Sequence, residues 1–374
     1  MMMLNKKQFL LGKDTPMEEC KFYSVRSAPF VIDGLLPPED NAPFARIPHD
    51  VAVATSAGIV SRTLRTSGGR VRFSTDATQI TVKLLSLEPM APKLMHHMPL
   101  LGSCGLDLYC IDGGRERRVG TFRYKNVYDE LWEKGTTITL PTQKMRSYVL
   151  YLPIYGRVDD MEIGIPADAT LGAPVEHYKI VDPIVFYGSS VTQGCSASRP
   201  ALAYPAIISR MLNAQFTNLG FAASAKGEPS IREYIANIPK MSAFVLDYDQ
   251  NAPSAEHLAE THAPFYRAVR AKHPDIPIIF VTAATGDVAS KNWIKRRNVV
   301  MQSYLDAYHS GDENVYFVDG LTMMSDDNYS DRTADRTHPT DLGFERMAYA
   351  IGTVLRESLA GKMREKEAEG KAHV

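Results

Sequence analysis

The sequence predicts two joined architectures, an all-β sandwich or jelly roll followed by an α/β unit on a parallel five-stranded sheet. Three observations carry this expectation. From about Pro43 to Pro166, short runs alternate apolar and polar residues and are parted by turn residues. After about Lys179 the pattern changes to short apolar runs, each followed by a helical stretch. The chain, at 374 residues, is also longer than one ordinary core supports.

In the first half, Arg70–Phe73 and Gln79–Leu84 alternate with period two. Leu106–Ile111, Val119–Phe122, Thr136–Leu140, Tyr148–Leu152 and Met161–Ile165 supply further strands. Gly68-Gly69, Gly113-Gly114 and Gly135 punctuate them. Short strands at this spacing fit an antiparallel sandwich, and no helical period competes with them.

In the second half, the strands are Ile184–Tyr187, Phe216–Leu219, Ala243–Leu246, Ile278–Val281 and Val315–Val318. The helices between and after them are Ala201–Leu212, Ser230–Ile238, Glu256–Lys272 with Ser254 as N-cap, Asn292–His309 and Asp341–Leu359. In the last helix, Met347, Ile351, Val354 and Leu355 share one face. Repeated β-then-α units give a parallel sheet covered on both faces, with ligand sites at the carboxyl ends of its strands. The tail from Lys362 to Val374 is charged and expected to fray.

The bulk numbers narrow the function classes. A net charge of −1 gives no field directed at nucleic acid, a membrane surface or a polyanion. The run Lys295-Arg296-Arg297 reads as a solvated helix face. Cys20, Cys104, Cys110 and Cys195 fit neither a zinc pattern nor a disulfide framework. Phe9-Leu10-Leu11 is far shorter than a signal-peptide core. The expected location is the cytoplasm, with no membrane span and no nucleic-acid partner, and a homo-oligomer is left open.

Four elements could carry chemistry. Gly188-Ser189-Ser190 follows the first parallel strand, so Ser190 stands in the mouth of the sheet with helix N–H groups beside it. Asp335-Arg336-Thr337-His338 precedes the last helix, and this spacing lets the carboxylate hold the imidazole that takes a serine proton. Asn218 to Ser224 follows the second strand and Asp249-Gln250-Asn251 the third. Their N–H groups and the Asn251 amide face the same mouth, where an oxyanion could be bound. Each element alone also has a structural reading: a serine-rich turn, a capping Asp, a turn residue before Pro253. Their order after successive strands favours the chemical one.

Taken together, these motifs resemble the SGNH, or GDSL-type, hydrolases. The nucleophile turn has Ser189 where that family usually has Asp, and the glycine block NLGFAAS has Ala223 where Gly is usual. The third block survives as Asp249 to Ala252, and the Asp-x-x-His block is intact. The first half resembles the β-sandwich found before some of these hydrolases, on the sequence Gly105-Leu106-Asp107-Leu108-Tyr109. The resemblance implies a GxDLY-type sandwich with an N-terminal extension over 1–175, a flavodoxin-like SGNH hydrolase domain over 176–362, and a charged tail over 363–374. It implies Ser190, His338 and Asp335 as catalytic residues. Ser190, Ala223 and Asn251 become the oxyanion hole. The implied substrate is a small acyl ester, an acetylated sugar foremost, with no metal or cofactor. If Ala223 needs φ > 0, Ala costs about 1 kcal/mol relative to Gly.

Further assignments are more local. Arg199 and Gln250 are candidate substrate contacts, Arg199 having local pairing with a carboxylate as its other reading. His96-His97 reads as a solvated or packing pair that could also reach over the mouth. Asp247 and Asp249 are expected to bind loop amides, and Cys195 to be a small buried thiol. Trp132 and Trp293 are the only tryptophans available as a sugar platform. Two other functions stay open: a carbohydrate-binding protein with a degenerate hydrolase half, and acyl transfer to an alcohol.

Overall fold

A computed structural model describes residues 19–37, 42–88, 95–122, 135–284, 291–324 and 329–372. Phe9-Leu10-Leu11 and Trp132 lie outside them. The first half forms β1 (Cys20–Ser24), β2 (Val31–Asp33), β3 (Arg70–Thr75), β4 (Gln79–Glu88), β5 (Leu106–Asp112), β6 (Arg115–Phe122), β7 (Thr136–Thr139), β8 (Arg146–Tyr151), β9 (Arg157–Pro166) and β10 (Leu171–Gly172). One sheet runs β1-β9-β4-β7; the other runs β10-β3-β8-β5-β6, with β2 on β3. All their pairings are antiparallel. Period-two positions meet between the sheets: Val71 and Phe73, Leu106 and Leu108, Tyr148 and Leu150 from one, Ile80, Val82 and Leu84, Ile163 and Ile165 from the other. Each such side chain taken from water contributes on the order of 2 kcal/mol. The opposite face of β5 and β8 presents Tyr109, Val149 and Tyr151 to the second half, whose core they join. The second sheet is therefore buried on both faces.

The second half is built on five parallel strands: β11 (Ile180–Gly188), β12 (Ala214–Gly220), β13 (Ala243–Asp247), β14 (Ile278–Val281) and β15 (Val315–Val318). Their order is β12-β11-β13-β14-β15, so the winding reverses at β11 and opens a crevice at its carboxyl end. Ile184 and Phe186 face one layer, Val185 and Tyr187 the other. The helices expected from the sequence are present. Residues 204–212 and 341–372 cover the first face, the latter burying Met347, Ile351 and Leu355 with Val354 packed alongside. Residues 229–236, 255–272 and 291–309 cover the second. Ser254 caps its helix as expected, accepting from His257 N at 3.2 Å.

The structure departs from the sequence reading in several places, among them the unforeseen strands Cys20–Ser24, Val31–Asp33 and Leu171–Gly172 and a short helix at Leu100–Cys104. Where only strands were expected, α1 (His49–Thr55) and α2 (Ala57–Thr63) form. Each spans seven residues, two turns, too short for a helical period to register. Ser56 ends one and caps the other, accepting from Ile59 N at 3.2 Å. These helices lie in the first half of the chain but belong to the second half's core, where Ile47, Ala52 and Ile59 pack with Val185, Leu219 and Ile235. The charged tail does not fray at Lys362: the final helix continues to Ala372. Its Lys, Glu, Arg and Ala residues are strong helix formers, which offsets the lack of an apolar stripe.

Candidate active site

Two glycines let the crevice close tightly at the end of β11. A Cβ on Gly188 would meet Thr192 Oγ1 at 2.0 Å and Asp247 O at 2.3 Å; one on Gly220 would meet Gln193 N at 2.2 Å. After Gly188, the short helix Ser190–Gln193 begins, with Ser189 as its N-cap accepting from Val191 N at 3.1 Å. Serine caps a helix about as well as aspartate, so Ser189 keeps the local geometry. Ser190 is thereby the first helical residue, and its hydroxyl faces the loop before the last helix.

That loop is folded upon itself. Ala334 N donates to His338 O at 2.8 Å, and Arg336 takes a positive φ of 66°. Asp335 Oδ1 accepts from His338 N at 2.8 Å and Thr337 N at 3.0 Å, while Oδ2 lies 2.9 Å from His338 Nδ1. The bonds from the His338 ring and these two amides outweigh partial burial and lower the Asp335 carboxyl to about 2. An ionised carboxylate only accepts, so the ring proton sits on Nδ1 and Nε2 is the acceptor. Ser190 Oγ lies 3.0 Å from that Nε2, across 148 residues of sequence. The hydroxyl, imidazole and carboxylate thus form one continuous relay. Asp341 fixes the loop further, accepting from Ser198 N at 2.8 Å and Ser198 Oγ at 2.5 Å.

The loops after β12 and β13 complete the mouth. Asn218 binds Thr192 O at 2.8 Å and Ser67 Oγ at 3.2 Å through its amide, and accepts from Gly220 N at 2.8 Å. Gln193 Oε1 accepts from Ala222 N at 2.9 Å. Arg46, wholly buried, donates to Asn218 O at 3.1 Å and Gly220 O at 2.6 Å; with no carboxylate beside it, burial lowers its pKa to about 9. Ala223 sits exposed at φ 56°. Neither its N–H nor that of Ser190 has an acceptor among the described residues. Asn251 Nδ2 donates to Phe221 O at 3.0 Å, which uses one of its two N–H bonds. Gln250 lies half-buried in the same turn.

These geometries place a serine hydroxyl, an imidazole and unsatisfied N–H donors at one sheet end. Residues 181–356 match the GDSL-like lipase/acylhydrolase family, and residues 20–171 match the GxDLY N-terminus of SGNH-type esterases. The chain is a GDSL-like hydrolase. It is similar in structure to a protein described as a GDSL-like lipase from Bacteroides ovatus, at 26% identity and TM-score 0.79, covering 91% of this chain and 98% of that one. It also shares its fold with a salicylyl-acyltransferase from a tetracycline biosynthetic pathway, at 20% identity and TM-score 0.72, covering 92% and 98%. A family two carbohydrate esterase from Clostridium thermocellum, in complex with cellohexaose, matches at 15% identity and TM-score 0.59, covering 88% and 99%. No curated protein gives a significant match. Among the described residues, no helix is long and apolar enough to cross a membrane.

Several sequence assignments for this GDSL-like hydrolase need revision. The His96-His97 pair divides its readings: His96 is exposed, whereas His97 packs at the mouth, its ring stacked on His338 with centroids 4.6 Å apart and planes 4° apart. A contact spanning 241 residues leaves no spacing signature, and only the adjacent His pair hinted at it. Arg199 takes its other reading, pairing with a carboxylate, though one distant in sequence: its Nη1 lies 2.9 Å from Asp107 of the GxDLY sequence. The run Lys295-Arg296-Arg297 is only in part a solvated face. Lys295 is exposed, but Arg296 donates to Asp249 O at 3.2 Å and Gln250 O at 3.1 Å, and Arg297 pairs with Asp319. Open carbonyls of the turn after the third parallel strand draw Arg296 inward, and the Asp319 carboxylate draws Arg297. Asp249 Oδ2 does accept from an amide, Ala283 N at 3.0 Å, but Asp247 binds hydroxyls instead, Tyr204 at 2.9 Å and Thr192 at 3.0 Å. Cys195 is buried as expected, and burial raises its thiol to about 11. Its Sγ, with a ring nitrogen each of His97 and His338, falls within a 4.8 Å cluster. Metals bind thiolate, and a thiol held protonated works against them.

Proposed function

We propose that this GDSL-like hydrolase is a serine esterase acting on small acyl esters, acetyl esters of carbohydrates foremost. The relay from Ser190 through His338 to Asp335 carries this reading. His338 Nε2 takes the Ser190 proton as Oγ attacks the ester carbonyl. Asp335 holds the proton-bearing Nδ1 and offsets the imidazolium charge. The negative oxygen of the tetrahedral intermediate is met by the N–H groups of Ser190 and Ala223 and by the second amide N–H of Asn251. One such donor is worth on the order of 3 kcal/mol in the transition state. His338 then returns the proton to the leaving alcohol, and water repeats the sequence on the acyl-enzyme.

Carbohydrate is favoured as the alcohol because family two carbohydrate esterases and a rumen acetyl xylan esterase share the fold. The fold is also shared by an acyltransferase, and the same relay serves transfer to a second alcohol. The test is hydrolysis of 4-nitrophenyl acetate and of a panel of acetylated mono- and oligosaccharides by wild type and Ser190→Ala. Turnover in the variant is expected to fall at least about a thousandfold with the fold intact. Undiminished turnover removes the nucleophile assignment. Acyl-sugar products in place of free acid mark transfer instead.

A further inference from the structure

We infer that His97, carried on a loop of the β-sandwich half, is a positioning residue for the catalytic imidazole. Its ring lies parallel to that of His338 at 4.6 Å, and its Nδ1 lies 3.5 Å from the Asp335 oxygen that holds His338. The side chain is 7% exposed, and neither ring nitrogen has a hydrogen-bond partner among the described residues. A buried imidazole without hydrogen-bond partners is costly, so its place here calls for a role, and the ring face laid on His338 supplies one. The backbone is built to present that face. Ser196 Oγ donates to His97 O at 2.7 Å, and Met98 is buried in the core beside Ile154 and Tyr155. The groups facing His97 are His338, Asp335, His96 with its ring 5.4 Å away, and the Cys195 thiol. Burial and the neighbouring His338 lower the His97 pKa, and Asp335 opposes them.

Two consequences follow for the reaction. The stacked ring denies His338 the freedom to turn away from Ser190. It also covers the Asp335–His338 bond from solvent, so the proton relay stays aligned while charge develops. The first half of the chain thereby supplies part of the active-site wall.

This inference rests on the esterase reading, and the experiment separates the two. Steady-state hydrolysis of 4-nitrophenyl acetate is measured for wild type, Ser190→Ala, His97→Ala and His97→Phe, with near-UV circular dichroism as the folding check. His97→Ala is expected to lower kcat between about ten- and a hundredfold with KM nearly unchanged. His97→Phe, which restores a flat ring without nitrogens, is expected to recover most of that loss. A wild-type kcat in His97→Ala overturns the inference, as does a folded His97→Phe no better than the alanine variant. An active Ser190→Ala overturns the esterase reading itself.

Discussion

Ala223 holds φ at 56°, a region where an L side chain meets its own backbone. The residue is exposed at the mouth, so no packing compensates for the strain. Ala223→Gly is expected to raise stability by about 1 kcal/mol in urea unfolding while the N–H donor is retained. An unchanged midpoint would show that the strain is relieved elsewhere. Asp335 gives a second prediction, in pH. Its folded pKa of about 2 lies below the value of about 3.9 for an unfolded aspartate. The group therefore stabilises the fold above pH 4, and that contribution disappears as pH falls through 2. Asp335→Asn is expected to be less stable than wild type at pH 6, with the gap closing between pH 4 and 2. At this scale the relay was legible in the sequence, because Asp335 and His338 stand three positions apart on one loop and a strand end precedes Ser190. His97 and Arg46 were not, since their contacts cross from one half to the other with no local pattern to mark them.

At the scale of elements, most strands of both halves declared themselves by alternation or by short apolar runs, and the longer helices by caps and faces, while Cys20–Ser24, Val31–Asp33 and Leu171–Gly172 did not. The helices at His49–Thr55 and Ala57–Thr63 escaped for want of length. Arg296 shows the same limit: a helix repeat reveals which way a cation points only when the loop beneath it is known. The end of β13 carries a prediction of its own. Asp247 is fully buried, and burial followed by the neighbouring Asp249 pushes its carboxyl up to about 8. A raised folded pKa means this stabilising contribution is complete below pH 4 and lost as pH rises through 8. Asp247→Asn cannot ionise, so its stability relative to wild type is expected to improve steadily between pH 4 and 8 in thermal melts. A constant difference across that range would mean Asp247 stays ionised in the fold.

The whole molecule is joined by an ion pair between its halves. Asp107 is fully buried, accepting from Arg199 Nη1 at 2.9 Å, Ala201 N at 3.1 Å and Thr121 Oγ1 at 2.5 Å. The GxDLY sequence thus has a physical role, because its carboxylate is solvated by the other half. Arg199→Ala leaves that charge without its cation and is expected to cost about 3 kcal/mol in denaturant unfolding. Asp107→Asn combined with Arg199→Ala is expected to recover part of the loss, since no buried charge then remains. Equal stability of the single and double variants would place the cost in packing instead.

The pair Ile47 and Ile59 carries a wider implication. A stretch written before most of the sandwich strands fills a hole in the layer beneath the parallel sheet. A fragment beginning at residue 176 would expose that hole and leave the carbonyls of Asn218 and Gly220 without the Arg46 guanidinium. The hydrolase half therefore cannot be transplanted alone: any recombinant that exchanges one half must carry residues 46–63 along with the catalytic module.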